Sequence, residues 1–366
     1  MDLVKTIMDL IKIKSVTGDK EETEKVVNYC KDLFKNTNAV IKVFEYENTP
    51  PVLFIANKDV QKYDVMGLGH LDVVPAPDDM FEPYIEDGKL YGRGSLDMKS
   101  WAVVAFKTMM HVLENNLDLS YAIVLSTDEE KGGYGAEAFV KNENIDAKIV
   151  LDNDVGGDIT SIVNKCKNPT FVRIIAKGYE AHGSMPWDGI DANEKLIQTL
   201  TNLRKHYKYY SKDGDKPENT WIDTMHVAKI NGGVADNVIS GYAEATIDFR
   251  LTETSKLSDL EKLLNSVLED GVTYEIEATS VPVVMKEDNP YIADYKKFAE
   301  NILGREIKFE QIGGATDSRL YANKGSTVIM HSGDGEGMHT IGEYTSIESI
   351  EKISDIQIRF MEKLSL

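Results

Sequence analysis

The chain has 366 residues, long enough for two domains of ordinary size, with 42% hydrophobic and 28% charged residues, the make-up of a globular protein with a sizeable core. Its formal net charge of -20 argues against a nucleic-acid partner, because such binding depends on Lys and Arg displacing counterions. The two cysteines, Cys30 and Cys166, form no Cys-x-x-Cys pair, which argues against a disulfide framework and a thiolate zinc site and makes the cytoplasm the expected compartment.

Residues 1–14 alternate Asp and Lys with Leu, Ile and Val, the pattern of an amphipathic helix and not of a secretory leader. No apolar run approaches the ~18 residues of a membrane span, so no membrane partner is expected. Val26, Val27, Cys30, Leu33 and Phe34 keep helical spacing in a second helix, with Thr17 and Asp19 as possible caps. Strands are expected at 39–46, 52–56, 65–68, 121–126 and 148–151, with helices at 98–114 and 135–140 between them. That alternation describes an α/β sheet covered by helices.

The rhythm changes near Pro169. A strand at 170–177, a helix at 192–206, strands at 221–230 and 235–251, a helix at 256–268 and a strand at 272–278 spell βαββαβ, the ferredoxin-like order. Asn231-Gly232-Gly233 reads as the hairpin turn between the two middle strands. After Pro282 the α/β pattern returns, with a helix at 291–303, strands at 307–311 and 327–330 and a closing helix from Ile347. A catalytic domain of residues 1–168 and 281–366 is therefore expected to carry an inserted domain, residues 169–280.

Five separate stretches carry candidate chemistry. In Gly69-His70-Leu71-Asp72 a strand runs into a His and an Asp that project to one face, placing Asp72 where it can fix the His70 tautomer. Gly92-Arg93-Gly94-Ser95-Leu96-Asp97-Met98-Lys99 brings an acid to a helix start, where Asp97 is either a ligand or a plain N-cap. Asp128-Glu129-Glu130 follows a buried strand, and acids so crowded repel one another unless cations hold them. Asp152 ends the next strand, with Asp154 as its rival. His339 lies in the glycine-rich stretch Asp334-Gly335-Glu336-Gly337-Met338-His339. Each alone is weak, but His70, Asp97, Glu130, Asp152 and His339 suffice for two three-ligand metal sites if Asp97 bridges, with Glu129 as a spare carboxylate.

The order of these motifs resembles the metallopeptidase family of acetylornithine deacetylase, succinyl-diaminopimelate desuccinylase, aminoacylase, carnosinase and glutamate carboxypeptidase. The resemblance covers nearly the whole chain and includes Ala181-His182-Gly183-Ser184-x-Pro186. It implies a zinc-exopeptidase-like mixed sheet with an inserted lid and dimerisation domain, and a homodimer formed through that lid. It also implies two zinc ions per subunit, with cobalt or manganese possible: one on His70 and Glu130, the other on Asp152 and His339, and Asp97 shared, followed by a cis peptide to Met98. By the same resemblance Asp72 orients His70, Glu129 is the general base that deprotonates the metal-bridging water to the attacking hydroxide, and His182 reaches the partner subunit's active site. Asn237 and Arg250 resemble residues that hold the substrate carboxylate, with Arg319 a further candidate.

The expected reaction is hydrolysis of the amide of an N-acyl amino acid or small dipeptide with a free carboxylate. Asp152 followed by Asn is more like the dipeptidase branch, and 163–167 lacks the arginines of desuccinylases, where Ala315 also replaces a hydroxyl residue; the compact length is nearer the deacetylases. A specific deacetylase or desuccinylase of amino-acid biosynthesis is the alternative within the enzymes. A binding protein that kept the fold without catalysis is the alternative outside them, opposed by Glu129 and the full ligand set.

Overall fold

A computed structural model describes all 366 residues. The backbone packs as two compact units, one of Met1–Asn164, Met285–Glu310 and Thr316–Leu366, the other of Lys165–Val284 and Gln311–Ala315. The second unit thus begins and ends slightly outside the expected insertion of 169–280. The reason is local pairing: Cys166 and Lys165 lie in register with Val283 and Val284, so both chain crossings are tied into strands.

In the first unit the sheet runs Val40–Phe44, Val52–Ala56, Tyr121–Ser126, Lys62–His70, Asp146–Asp152, Thr327–Met330 and Ser161–Cys166. The four strands from Tyr121–Ser126 to Thr327–Met330 are parallel, so their carboxyl ends open on one side, where open α/β sheets hold their ligands. Their residues read as near-continuous apolar runs because helices cover both faces. Leu3–Ile11 buries Leu3, Ile7, Leu10 and Ile11, and the closing helix Ile347–Leu364 buries Ile350, Ile353, Ile356 and Phe360 in the same core. Asp19 caps Lys20–Phe34 by accepting from the Glu22 N–H, which leaves Thr17 free for another role.

A small sheet of Tyr84–Glu86, Lys89–Tyr91, Tyr344–Ser346 and Gly335–Glu336 stands apart from the main one. Its strands are too short to show period-two alternation, and the sequence reading does not contain them.

The second unit has the expected βαββαβ order, with strands Thr224–Gly232, Tyr242–Leu251, Asn168–Lys177 and Val272–Thr279 side by side in that sequence, all antiparallel. Ala192–Arg204 and Leu257–Val267 pack their Leu196, Leu203, Leu260 and Leu264 onto one face. The middle connection differs from expectation: Asn231-Gly232-Gly233 is no tight hairpin, because Gly232 pairs with Ala243 and residues 233–241 form a long loop. That loop finds other partners, His182 bridging Val238 and the Gly183 N–H donating to the Asn237 carbonyl at 2.7 Å. No helix is long and apolar enough to cross a membrane.

Candidate metal and active site

The site is assembled at the carboxyl ends of the parallel strands. His70 is the last residue of Lys62–His70, Glu129 and Glu130 form a 3-10 turn after Tyr121–Ser126, and Asp154 lies two residues past Asp146–Asp152. Asp97 precedes the helix Lys99–Glu114 but does not cap it; Met98 holds the cap position and makes no side-chain cap bond. The Asp97 carboxylate is instead divided between two imidazoles, Oδ1 at 3.1 Å from His70 Nε2 and Oδ2 at 2.8 Å from His339 Nε2. The Asp97–Met98 peptide is cis.

Around that carboxylate lie two groups of three donors, His70, Asp97 and Asp154 on one side, Asp97, Glu130 and His339 on the other. Asp154 Oδ2 is 3.7 Å from His70 Nε2, and Glu130 Oε2 is 3.1 Å from His339 Nε2. Imidazole and carboxylate donors in threes suit zinc, and tolerate cobalt or manganese. Glu130 Oε1 is buried with no hydrogen-bond partner, an oxygen whose burial is costly unless a cation meets it. The donor set therefore fits a pair of divalent ions.

Asp72 organises the surroundings. Its backbone carbonyl meets His70 Nδ1 at 3.0 Å with Oδ1 3.3 Å away; Oδ1 also accepts from the Glu129 N–H, and Oδ2 accepts from the Glu130 N–H and from Thr17 Oγ1 at 2.7 Å. One residue thus fixes an imidazole and the turn that carries both glutamates.

Burial of so many acids is visible in their proton affinity. Desolvation, reinforced by Asp317, Glu130 and Asp97, pushes Glu129 up to about 8, and desolvation with the Asp97 charge pushes Glu130 up to about 7. Asp154 is raised well above the carboxylate range by burial and by Asp97. His70 is raised despite its burial, because Asp72 and Asp97 bond to it, while the two histidines hold Asp97 low. An array that charges only reluctantly on its own is one that cations would stabilise.

The structure departs from the expected ligand grouping at two points. Glu130 groups with His339, and His70 groups with Asp154. Asp152 lies outside both groups, with Oδ1 accepting from the Asp154 N–H at 2.9 Å and Oδ2 from Thr316 Oγ1 at 2.5 Å. As a strand residue Asp152 projects perpendicular to the chain, whereas the turn after it aims Asp154 at His70. Arg319 is likewise engaged, donating to Asp317 Oδ1 at 2.9 Å, to the Thr316 carbonyl and to Glu137.

In the second unit His182 is exposed, its Nδ1 accepting from the Ser184 N–H at 3.2 Å with Ser184 Oγ at 2.8 Å. An Nδ1 that accepts leaves the proton on Nε2, which can donate outward. Asn237 is exposed in the 233–241 loop, and the half-buried Arg250 holds Asp248 through Nε and Nη2 at 2.8 and 3.1 Å.

Several supporting residues escape sequence reasoning. Arg93 and Glu343 form a buried ion pair, and Gln357 of the closing helix donates to Asn153, whose amide donates to the His331 carbonyl. Asn153 separates Asp152 from Asp154, so the turn is anchored from a helix two hundred residues away. Nothing in the local sequence distinguishes Gln357 or Glu343 from surface residues.

A model of peptidase family M20/M25/M40 matches residues 67–363. An uncharacterized metallohydrolase of Methanocaldococcus jannaschii is 26% identical over 97% of each chain. A succinyl-diaminopimelate desuccinylase of Nitrosomonas eutropha is 28% identical over 98% of this chain and 97% of its own. Among solved structures, an M20 family metallo-carboxypeptidase of Sulfolobus solfataricus superposes with a TM-score of 0.81 over 99% of both chains at 17% identity, a likeness of fold.

Proposed function

Because the chain belongs to peptidase family M20/M25/M40 and is a metal-dependent hydrolase, we propose that it cleaves the amide bond of an N-acyl amino acid or small dipeptide bearing a free carboxylate. The observation that carries this reading is Asp97 divided between His70 and His339, with the Glu129–Glu130 turn held beside them by Asp72. His70, Asp97 and Asp154 would hold one zinc ion, and Asp97, Glu130 and His339 the second. When bound, such ions supply Lewis acidity that acidifies water and polarises the scissile carbonyl.

The protein's own groups supply the proton path. Glu129 is no member of either donor group and stands on the same turn as Glu130, so it takes a proton from the attacking water and passes it to the leaving amine nitrogen. Asp72 keeps the His70 Nδ1 proton in place, which leaves Nε2 as the donor atom. His182 donates from Nε2–H to the substrate carbonyl, contributed across a homodimer. Support for that assembly lies in the second unit's outermost strand, Thr224–Gly232, which is exposed on both faces past Val227, and in the exposed Ile197 of the neighbouring helix. Arg250 and Asn237 receive the substrate carboxylate, Arg250 sharing its guanidinium with Asp248. Arg319 has no part in this reading.

The desuccinylase relative favours a second reading, in which the acyl group carries its own carboxylate. Against it, the arginines of the first unit nearest the donors, Arg93 and Arg319, are both committed to internal acids. The test is hydrolysis of N-acetyl and N-succinyl amino acids and dipeptides by chelator-stripped protein, alone and reloaded with zinc, cobalt or manganese. Metal-dependent release of an amino acid from acetyl or dipeptide substrates is expected. Exclusive cleavage of succinyl substrates would transfer the assignment to the desuccinylase, and inertness of protein holding two ions would overturn the proposal.

A further inference from the structure

Arg93 and Glu343 are among the few charged side chains almost wholly withdrawn from solvent, 2% and 0% exposed, and they are bonded to each other. Neither belongs to the donor groups. Their bonds join the two loops that do. Glu343 Oε1 accepts from three backbone N–H groups within four residues of the glycine-rich loop, those of Gly94, Leu96 and Asp97 at 3.1, 2.9 and 3.0 Å. Glu343 Oε2 takes the Arg93 guanidinium, and Arg93 Nη2 continues to the Thr340 carbonyl at 3.3 Å, next to His339. The Gly92 N–H closes the connection on the Glu343 carbonyl at 3.1 Å.

The loop on the other side needs such an anchor. His339 sits in the left-handed region at φ 61°, between Gly337 at 81° and Gly342 at 88°, a conformation that costs an ordinary residue free energy and persists only where the surroundings impose it. Glu343 lies four residues on, at the first fixed point after that stretch. A carboxylate that bonds the N–H of Asp97 itself, tied to the chain that carries His339, fixes the distance between the shared acid and the second imidazole.

We propose that Glu343, with Arg93, is a positioning residue that holds Asp97 and His339 in register and so sets the affinity of the cation shared by Asp97, Glu130 and His339. The inference rests on the metal-site reading above. Groups that orient ligands commonly govern affinity by ~10–100-fold, and a buried carboxylate accepting three N–H bonds and a guanidinium has no neutral replacement of equal geometry. Glu343→Gln swaps one of its oxygens for a donor and breaks either the guanidinium bond or the backbone set.

The experiment titrates metal-free wild-type, Glu343→Gln and Arg93→Lys proteins with zinc against a competing chelator, and follows amide hydrogen exchange of the same metal-free proteins. Two ions are expected on the wild type; in both variants the ion of Asp97, Glu130 and His339 should bind about 10- to 100-fold more weakly, and the other, which shares only Asp97 with it, should lose distinctly less. Exchange should quicken at residues 94–97 and 339–343 only. Unchanged affinities with unchanged exchange would overturn the proposal, as would a uniform loss of protection that weakens both ions together, the mark of general destabilisation. A wild type that binds no pair of ions would instead overturn the metal-site reading, and exchange in the metal-free proteins would still decide whether Glu343 couples the two loops. Arg93→Lys keeps the buried charge, so it serves where Glu343→Gln fails to fold.

Discussion

Asp152 and Asp154 differ by two positions and have opposite fates. The first is consumed by Thr316 and by the backbone of the second; the second points at His70. Asp154→Asn should therefore remove one of two bound zinc ions in an equilibrium titration, while Asp152→Asn, which keeps a side-chain acceptor for the Asp154 N–H, should retain both with a modest loss of affinity. Equal losses would show that the turn acts as a unit. His331 supplies a pH signature away from the donors. It is fully buried, with Nε2 2.8 Å from the Ile159 carbonyl and Nδ1 3.3 Å from the Tyr295 hydroxyl, and burial lowers it from 6.5 to about 4. A lowered folded value means the unfolded chain binds the proton first. Its contribution is whole above pH 6.5 and is lost as pH falls toward 4, at most about 3 kcal/mol. Urea melts of wild type and His331→Gln should converge over that window.

The turn that carries Glu129 is followed by a glycine whose replacement is strained. Gly133, next after the Gly132 that ends the Glu129–Lys131 turn, opens the helix Tyr134–Asn142 at φ 68°, and a Cβ there would come within 2.5 Å of Asp317 Oδ1. Asp317 is held by Arg319 and lies 3.3 Å from Ser126 Oγ, so it cannot retreat cheaply. Gly133→Ala should lower stability by about 1–3 kcal/mol and also reduce turnover, because the strain falls on the turn that carries Glu129. The closing helix works at longer reach: Phe360 is fully buried against Tyr295, their ring centroids 5.3 Å apart, and Tyr295 touches His331. Phe360→Ala should cost about 3–5 kcal/mol in a denaturant melt, from the lost transfer free energy plus the cavity left behind.

Considered as a molecule, the protein concentrates acidity where cations are wanted. Glu129, raised from 4.5 to about 8, and Glu130, raised to about 7, hold protons that the unfolded chain would have released. Their contribution to the metal-free protein is present below pH 4.5 and is lost as pH rises through 7 to 8, so thermal melts of stripped protein should fall across that range. Zinc should reverse the trend and displace protons on binding, visible as a dependence of the calorimetric heat on buffer ionisation enthalpy at pH 7. Glu129→Ala should keep both ions and lose turnover by roughly 10²–10⁴-fold, the usual worth of a positioned base. Mixing His182→Ala with Glu129→Ala subunits should restore turnover, since each mixed dimer retains one complete site; no recovery in verified mixed dimers would remove His182 from the partner's site.

Patterns of period and punctuation carried the α/β class, the βαββαβ unit and the motifs that place His70, Asp97, the Glu129–Glu130 pair and His339 at element ends, because hydrophobic spacing, strand ends and glycine-rich turns are local properties. The short strands at 84–91 and 335–346 were not legible, being too brief for alternation, and Gly232-Gly233 misled because the following loop bonds to the segment around His182 instead of closing a hairpin. Which of Asp152 and Asp154 faces His70 and which acid stands behind Asp97 depend on what Thr316 and Glu343 touch. Those partners lie more than a hundred residues from Asp152 and Asp97, and only folding brings them within hydrogen-bond range. Residue type and spacing therefore determined what the donors are; the long-range packing of buried polar groups decided how they are grouped.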